Sequence, residues 1–360
     1  MPSTPDVVPA TRSRSRRARR DRRRRKRLIV ALVSAGTLVV LLGCVVGGAA
    51  LLWHRTIGSH LTVIPDSVAF PDEKGRPAAS TDGSKNVLLL GSDSRLEPDE
   101  HDLTAKGDQR SDVMMLAHVP ADGSGVQIAS LMRDLYVPVP GHGQAKINAA
   151  LAWGGTALSI ATVEGLLDTR IDHVAVIDFT GLADMTTALG GVWVDNKVPF
   201  TRADEYDTAG RYFAAGPIKL EGAGALSFVR ERKAFPTGDY QRVRNQQLLL
   251  KGMLDRAISR DVLADPSALA SFATETSKSV TVDAGFSLPA MASLAWGLRG
   301  IDSADIDFFT LPTAGTGSSP DGQSIVEVDS EAVARLKAAL ASDEVGAFAA
   351  SLSKGDSGSR

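Results

Sequence analysis

Cysteine is almost absent from this chain. Cys44 stands alone among 360 residues, so no intrachain disulfide and no cysteine-based metal site can form. Histidine is scarce as well. The six present (His54, His60, His101, His118, His142 and His173) show no HExxH or other ligand spacing, which leaves zinc chemistry and Ser-His or Cys-His nucleophilic catalysis without support. No internal repeat is visible. Charge is missing altogether from Leu28 to Trp53, a stretch long enough to cross a bilayer as a helix. It is longer than the apolar core of a cleavable signal peptide, and Leu51-Leu52-Trp53 makes a poor cleavage region. Twin-arginine export fits less well still, because the arginines ahead of it form a block and not a placed pair.

What is present divides unevenly. The first 27 residues carry twelve Lys and Arg against Asp6 and Asp21, a charge of +10 in a chain whose total is −2, which leaves −12 for residues 28–360. Residues 1–27 therefore read as a disordered basic tail. The positive-inside rule places that tail in the cytoplasm and residues 54–360 outside the cell membrane, behind a single span at 28–53. Attraction to anionic lipid accounts for a juxtamembrane basic cluster. A regulator binding nucleic acid through residues 12–27 is the competing reading. The acidic remainder opposes it, since attraction to phosphate dominates such binding, and no nucleic-acid partner is expected.

Residues 54–84, with Pro65, Pro71, Gly75, Pro77 and Gly83, read as an extracytoplasmic linker. A domain of 85–345 follows, then a disordered tail at 346–360. Val87–Leu90 is a continuous apolar run of the kind expected for a strand covered on both faces. Residues 112–119 and 126–131 repeat the design around a turn at Ala121-Asp122-Gly123, and residues 173–179 predict a further strand. Helices are predicted over 157–167, over 181–189 before Gly190-Gly191, over 246–258, over 267–276 after Asp265-Pro266, and from Ser330 to near Leu340. A short late strand is expected at 308–311. This order predicts an α/β fold, an α-β-α sandwich with a central mixed sheet.

Polar clusters interrupt these apolar segments: Asp93 with Arg95, Arg110 with Asp112, Arg133 with Asp134, and the stretch FVRERKAFPTGDYQRVRNQQ at 228–247. That stretch holds Arg230, Arg232, Arg242 and Arg244 with Lys233. By itself such a run is also what a solvated basic loop looks like. Arg230 and Arg232 follow a short apolar run, and on a strand their spacing places both guanidinia on one face. Arg95 and Arg133 lie just past predicted strands, where open α/β sheets build sites. Arginine forks donate in pairs and keep their charge, which suits a polyanion. Asp93 and Asp112 suit Mg²⁺, which takes few carboxylates and keeps waters. Together they fit a pyrophosphate, whose transfer needs positioning and charge neutralisation.

The segments NVLLLGSDSR, QRSDVMMLAHV, IASLMRDLYVPVPG, KINAALAWGG, IDHVAVIDFTGLADMTTALGGVWVD and LEGAGALSFVRERKAFPTGDYQRVRNQQ resemble, in order, the motifs of the LytR–CpsA–Psr family across residues 85–340. The resemblance implies a phosphotransferase that moves a glycopolymer from a polyprenyl-pyrophosphate carrier to peptidoglycan, within an α-β-α fold. By motif, Asp93 and Asp112 are implied as Mg²⁺-associated acids. Arg95, Arg110, Arg133, Arg230, Arg232 and Arg242 are implied at the pyrophosphate, with Gln246 assisting, and Arg110, Arg133, Arg230 and Arg232 as the catalytic set. Two positions depart from the pattern. Met132 replaces a common proline, which is expected to loosen its turn. Asn245 replaces a second arginine, which leaves either Arg244 or Asn245 to take that part.

Hydrolysis of the same pyrophosphate by water needs the same clamp and stays open. Apolar faces at 158–167 and 182–189 are candidates to line a tunnel for the prenyl chain, or simply to pack the core. The Arg/Ala/Gly-rich composition points to a high-GC actinobacterial source, where arabinogalactan is a candidate polymer alongside teichoic acid.

Overall fold

The apolar run at 87–90 lies inside β2 (Lys85–Ser92), near the middle of a seven-stranded sheet ordered β1-β12-β7-β2-β3-β4-β13. The computed structural model describes residues 60–92, 111–202 and 210–356. The chain divides into two units, 1–56 and 57–360, and all described residues belong to the second. The expected span at 28–53 and the basic tail lie outside them.

β2 pairs antiparallel with β3 (Ser111–Val119) and parallel with β7 (His173–Asp178). β4 (Val126–Leu131) runs antiparallel to β3, and β13 (Ile306–Thr310) runs parallel to β4. β12 (Val280–Asp283) lies antiparallel to β7, and β1 (Thr62–Ile64) parallel to β12. The sheet is thus mixed, as expected, and β2, β4, β7 and β13 all finish at one end. Among the described residues four two-stranded ribbons supply the other strands: β5 (Tyr136–Val139) with β6 (Gly143–Lys146), β8 (Val192–Asn196) with β11 (Gly216–Leu220), β9 (Phe200–Arg202) with β10 (Arg211–Phe213), and β14 (Thr313–Ser318) with β15 (Ser324–Val328).

Side chains alternate across the sheet, as the pleat requires. Leu88, Leu90, Met114, Leu116, Leu131 and Val174 face a core shared with α2 (Ala149–Leu167), α9 (Ser330–Ala341) and α10 (Val345–Asp356). Val87, Met115, Ala117 and Ile128 face the other way, toward Leu250 and Leu254 of α5 (Asp239–Ala257). On that side lie also α3 (Phe179–Ala188) and α4 (Ala223–Arg230). Helices therefore cover both faces. α2 is long and apolar enough to cross a membrane, yet its Ile160, Val163 and Leu167 are fully buried against the sheet, so it is a core helix.

Several boundaries differ from the sequence reading, and the helix expected over 157–167 begins at Ala149. Residues 62–69, assigned to a linker, form β1 and α1 (Asp66–Ala69). Arg76 adds a paired grip on Glu164 of α2, with Nε 3.1 Å from each carboxylate oxygen and Nη2 2.7 Å from Oε1. Glu164 also accepts from the Ile171 amide at 2.9 Å. The tail expected from residue 346 is instead helix α10, because Val345, Phe348 and Ala349 bury their side chains in the core. A helix assigned from residue 246 starts at Asp239. The expected cap held: Asp265 accepts from the amides of Ser267 and Ala268 at the start of α7 (Pro266–Ser279), which follows the short α6 (Arg260–Leu263). α8 (Leu288–Gly297) follows α7.

Candidate active site

The end of the sheet where β2, β4 and β7 finish is also where the arginines gather. β4 ends at Leu131, Met132 is buried beneath, and Arg133 follows at once. The turn expected to be loosened by Met132 is closed: the Leu135 amide donates to the Met132 carbonyl at 3.0 Å, and the Asn148 amide to the Arg133 carbonyl at 3.1 Å.

Arg230 and Arg232 are not on a strand. Gly222 precedes the helix α4, with φ of 55°, and Arg230 is its last residue. Ala225, Phe228 and Val229 are spaced as one helical face, and all three are buried. A cation at a helix C-terminus also meets the negative end of the dipole. Arg232 lies in the following turn, exposed. That turn is tied by Glu231, which is buried and accepts from the amides of Arg232 and Ala234 at 2.8 and 2.9 Å. Phe228 and Phe235, on either side of the turn, pack on Phe200 with ring centroids 5.6 and 4.7 Å apart.

Asp239 opens α5 and joins the two halves of the cluster. Its Oδ1 is 2.6 Å from Arg242 Nη2 and 3.5 Å from Arg133 Nε. Burial pushes its carboxyl above the ordinary 3.8, although Arg242, Arg133 and Arg232 pull it down. Here desolvation outweighs three cations. Asp134 pairs with Lys146 Nζ at 3.4 Å. Arg133, Arg232, Asp134 and Lys146 share the wall of one open cleft of about 1130 Å³.

One turn beyond Arg242, Gln246 is buried, and its Oε1 has no hydrogen-bond partner among the described residues. It sits at a narrow apolar pocket with Leu89, Val113, Met115, Ile177, Leu182, Val229 and Leu249. Of the two apolar faces considered for a tunnel, 182–189 contributes Leu182. The face at 158–167 belongs to α2 on the opposite side of the sheet and serves the core. Asn245 is wholly buried, donating to the Phe228 carbonyl at 3.2 Å and accepting from Gln241 at 3.0 Å, whereas Arg244 is exposed. The inward position is therefore Asn245, which clasps α5 to α4.

The structure thus brings Arg133, Arg232 and Arg242 to one end of the sheet, with Arg230 at the end of α4 and Gln246 two turns into α5. Asp93, Arg95 and Arg110 lie outside the described residues. Asp112 is on β3 at a bulge, where Gly91 pairs with Val113 but Ser92 with Ser111. Asp239, Glu231 and Lys146 were missed by the sequence reading, which had left Asn245 open against Arg244. Asp239-x-x-Arg242, an acid and a base one helical turn apart, was the available signal for the first.

The fold has known counterparts. A solved structure described as TagT bound to LI-WTA superposes with a TM-score of 0.57 at 25% identity, covering 76% of this chain and 98% of that one. The teichoic acid transferase TagU of Enterococcus faecalis is 31% identical over 85% of this chain and 94% of its own length. The cell wall biosynthesis protein LcpA of Corynebacterium glutamicum is 30% identical over 69% of this chain, and the match spans 54% of LcpA. The LytR_cpsA_psr family model matches residues 65–342. The chain belongs to the LytR–CpsA–Psr family.

Proposed function

We propose that this chain transfers a glycopolymer from a polyprenyl-pyrophosphate carrier to peptidoglycan. The observation that carries the reading is the union of an arginine cluster around Asp239 with an apolar pocket lined in part by Gln246, one turn from Arg242. A prenyl pyrophosphate has both features, a polyanion joined to a hydrocarbon. TagU is named as a polyisoprenyl-teichoic acid–peptidoglycan teichoic acid transferase, which supports the same assignment.

In this reading an acceptor hydroxyl oxygen of peptidoglycan attacks the sugar-linked phosphorus. The phosphorus–oxygen bond to the bridging oxygen breaks, polyprenyl phosphate leaves, and the hydroxyl proton passes to a base or to solvent. Arg133, Arg232 and Arg242, with Arg230 beside them, bind and orient the phosphates and neutralise charge on the leaving oxygens. Asp239 acts as a positioning residue that holds Arg133 and Arg242 on one carboxylate oxygen. Gln246 offers its unpartnered oxygen and its amide at the junction of head group and tail.

Mg²⁺ would suit hard carboxylates at this end of the sheet. Asp112 and Asp178 occupy strands on either side of β2, with Asp178 opposite Ser92 in the ladder, and both are hard carboxylates. With Asp93, which lies outside the described residues, they would hold the ion, and its chemistry there is neutralisation of phosphate charge. The uncharged segment 28–53 would anchor the chain in the cell membrane with this domain outside.

The test is transfer from a lipid-linked donor to peptidoglycan by the full chain. Arg133→Ala and Arg230→Ala are each expected to lower kcat/KM by about 100-fold or more, as for loss of a transition-state charge clamp. Unchanged rates sink the assignment. Polymer released free by the wild type, with none joined to the wall, assigns hydrolysis instead.

A further inference from the structure

The arginines occupy one part of a cleft of about 1130 Å³, more room than a pyrophosphate head group fills. Its other wall carries an aromatic pair. Trp153 and His142 stack with ring centroids 4.8 Å apart and planes 25° from parallel. His142 comes from the tight turn between β5 and β6, where Gly141 and Gly143 both have positive φ. Trp153 ends the first turn of α2. Directly after it the helix breaks, with Gly154 at φ −153° and Gly155 at φ 62°, ψ −154°. Gly155 is in a region that L side chains rarely adopt. The break separates residues 149–153 from the rest of α2, so Trp153 stays at the cleft while the following turns go into the core. It remains 44% exposed. A half-exposed indole backed by a second ring is costly to leave against water, and in a cleft it marks a contact surface. Around it the cleft offers Asn148, Gln144, Gln323 and Asp321, short polar groups able to donate or accept.

We infer that Trp153, backed by His142, is a stacking platform for a hexopyranose ring. The apolar C–H face of the sugar lies on the indole while its hydroxyls meet the carboxamides and Asp321. The proposal rests on the transferase reading for the role of the sugar, because Arg133 and Arg232 on the same cleft fix where an attached phosphate sits. Donor polymer and peptidoglycan acceptor both present hexopyranose rings, and the platform is defined by that shared chemistry.

Three probes of full-length protein in detergent separate the sources: farnesyl pyrophosphate, farnesyl-pyrophosphoryl N-acetylglucosamine, and a peptidoglycan oligosaccharide released by a muramidase. Trp153→Ala is expected to weaken binding of one sugar-bearing probe by about tenfold, with farnesyl pyrophosphate binding unchanged. Trp153→Phe keeps most of the affinity, and His142→Ala gives an intermediate loss. A drop confined to the glycosylated pyrophosphate assigns the platform to the donor, and one confined to the oligosaccharide assigns it to the acceptor. Equal weakening of all three probes, no weakening of any, or no sugar binding by the wild type overturns the proposal. Sugar binding lost in Trp153→Ala, from a wild type that transfers nothing to peptidoglycan, leaves the platform standing and removes the transferase reading.

Discussion

Asn245 has no exposed surface, and both ends of its carboxamide are engaged, one on the Phe228 carbonyl and one on Gln241. Through Phe228 it fixes the last turn of α4, on which Arg230 rides. Truncation leaves a buried carbonyl and a buried amide without partners, so Asn245→Ala should cost about 1–3 kcal/mol in chemical unfolding and also lower transfer. Arg244→Ala, at an exposed position, should leave both near wild type. Equal effects of the two changes would contradict the placement. Asp239 makes a different prediction. Its folded carboxyl titrates above the ordinary 3.8 because burial disfavours its charge. Folding therefore favours the protonated form, and this group's contribution is full below the unfolded pKa and is lost as pH rises through the raised folded pKa. Asp239→Asn should remove that decline from a stability-against-pH curve of the free protein, while slowing transfer by releasing Arg133 and Arg242. A wild-type curve that lacks the decline would refute the burial argument.

The strands β2, β3, β4 and β7 were legible because each is a continuous apolar run covered on both faces, a pattern that needs no partner to be read. The position of Arg133 followed directly. α4 was not legible: Ala225–Val229 is too short for period alone to separate helix from strand, and the spacing of Arg230 and Arg232 suited either. The start of α5 was missed because Gly238 and Pro236 look like loop, whereas Gly238 with φ of 50° is the residue just ahead of the helix. Glu231 ties a local turn to the amides of Arg232 and Ala234, which no pattern announced. Lys146 could not be found, and the choice between Arg244 and Asn245 could not be made, because the partners Asp134 and Phe228 come near only on folding. The same holds for residues 62–76, whose prolines and glycines read as linker. Arg76 lies 88 positions from Glu164, and only the packed α2 brings the two together. Arg76→Ala leaves Glu164 buried and uncompensated, a loss of about 3–5 kcal/mol expected in denaturant titration, with transfer by the folded fraction unchanged. A stability equal to wild type would mean that Glu164 finds another partner.

At the scale of the molecule, the site draws on both halves of the domain. Arg133 follows β4, while Asp239 and Arg242 arrive about a hundred residues later, and Asp239 binds Arg133 and Arg242 into one cluster. The sheet is closed in the same manner. β1 joins β12 through Thr62 and Thr281, and β4 joins β13 through Val126 and Ile306. A chain ending at residue 270 would retain the arginines but lack both β12 and β13, so the outer edges of β7 and β4 would be unpaired. Such edges invite pairing with other chains. The truncated protein is expected to aggregate and bind no prenyl pyrophosphate, whereas a soluble, binding-competent fragment would show the outer strands to be dispensable. Because the closing ladders connect such distant residues, refolding must meet a large loop-closure cost before those contacts return anything, and slow folding follows. During synthesis the arginine cluster thus has its residues long before it has its shape, and the domain becomes competent only when its last strands have arrived.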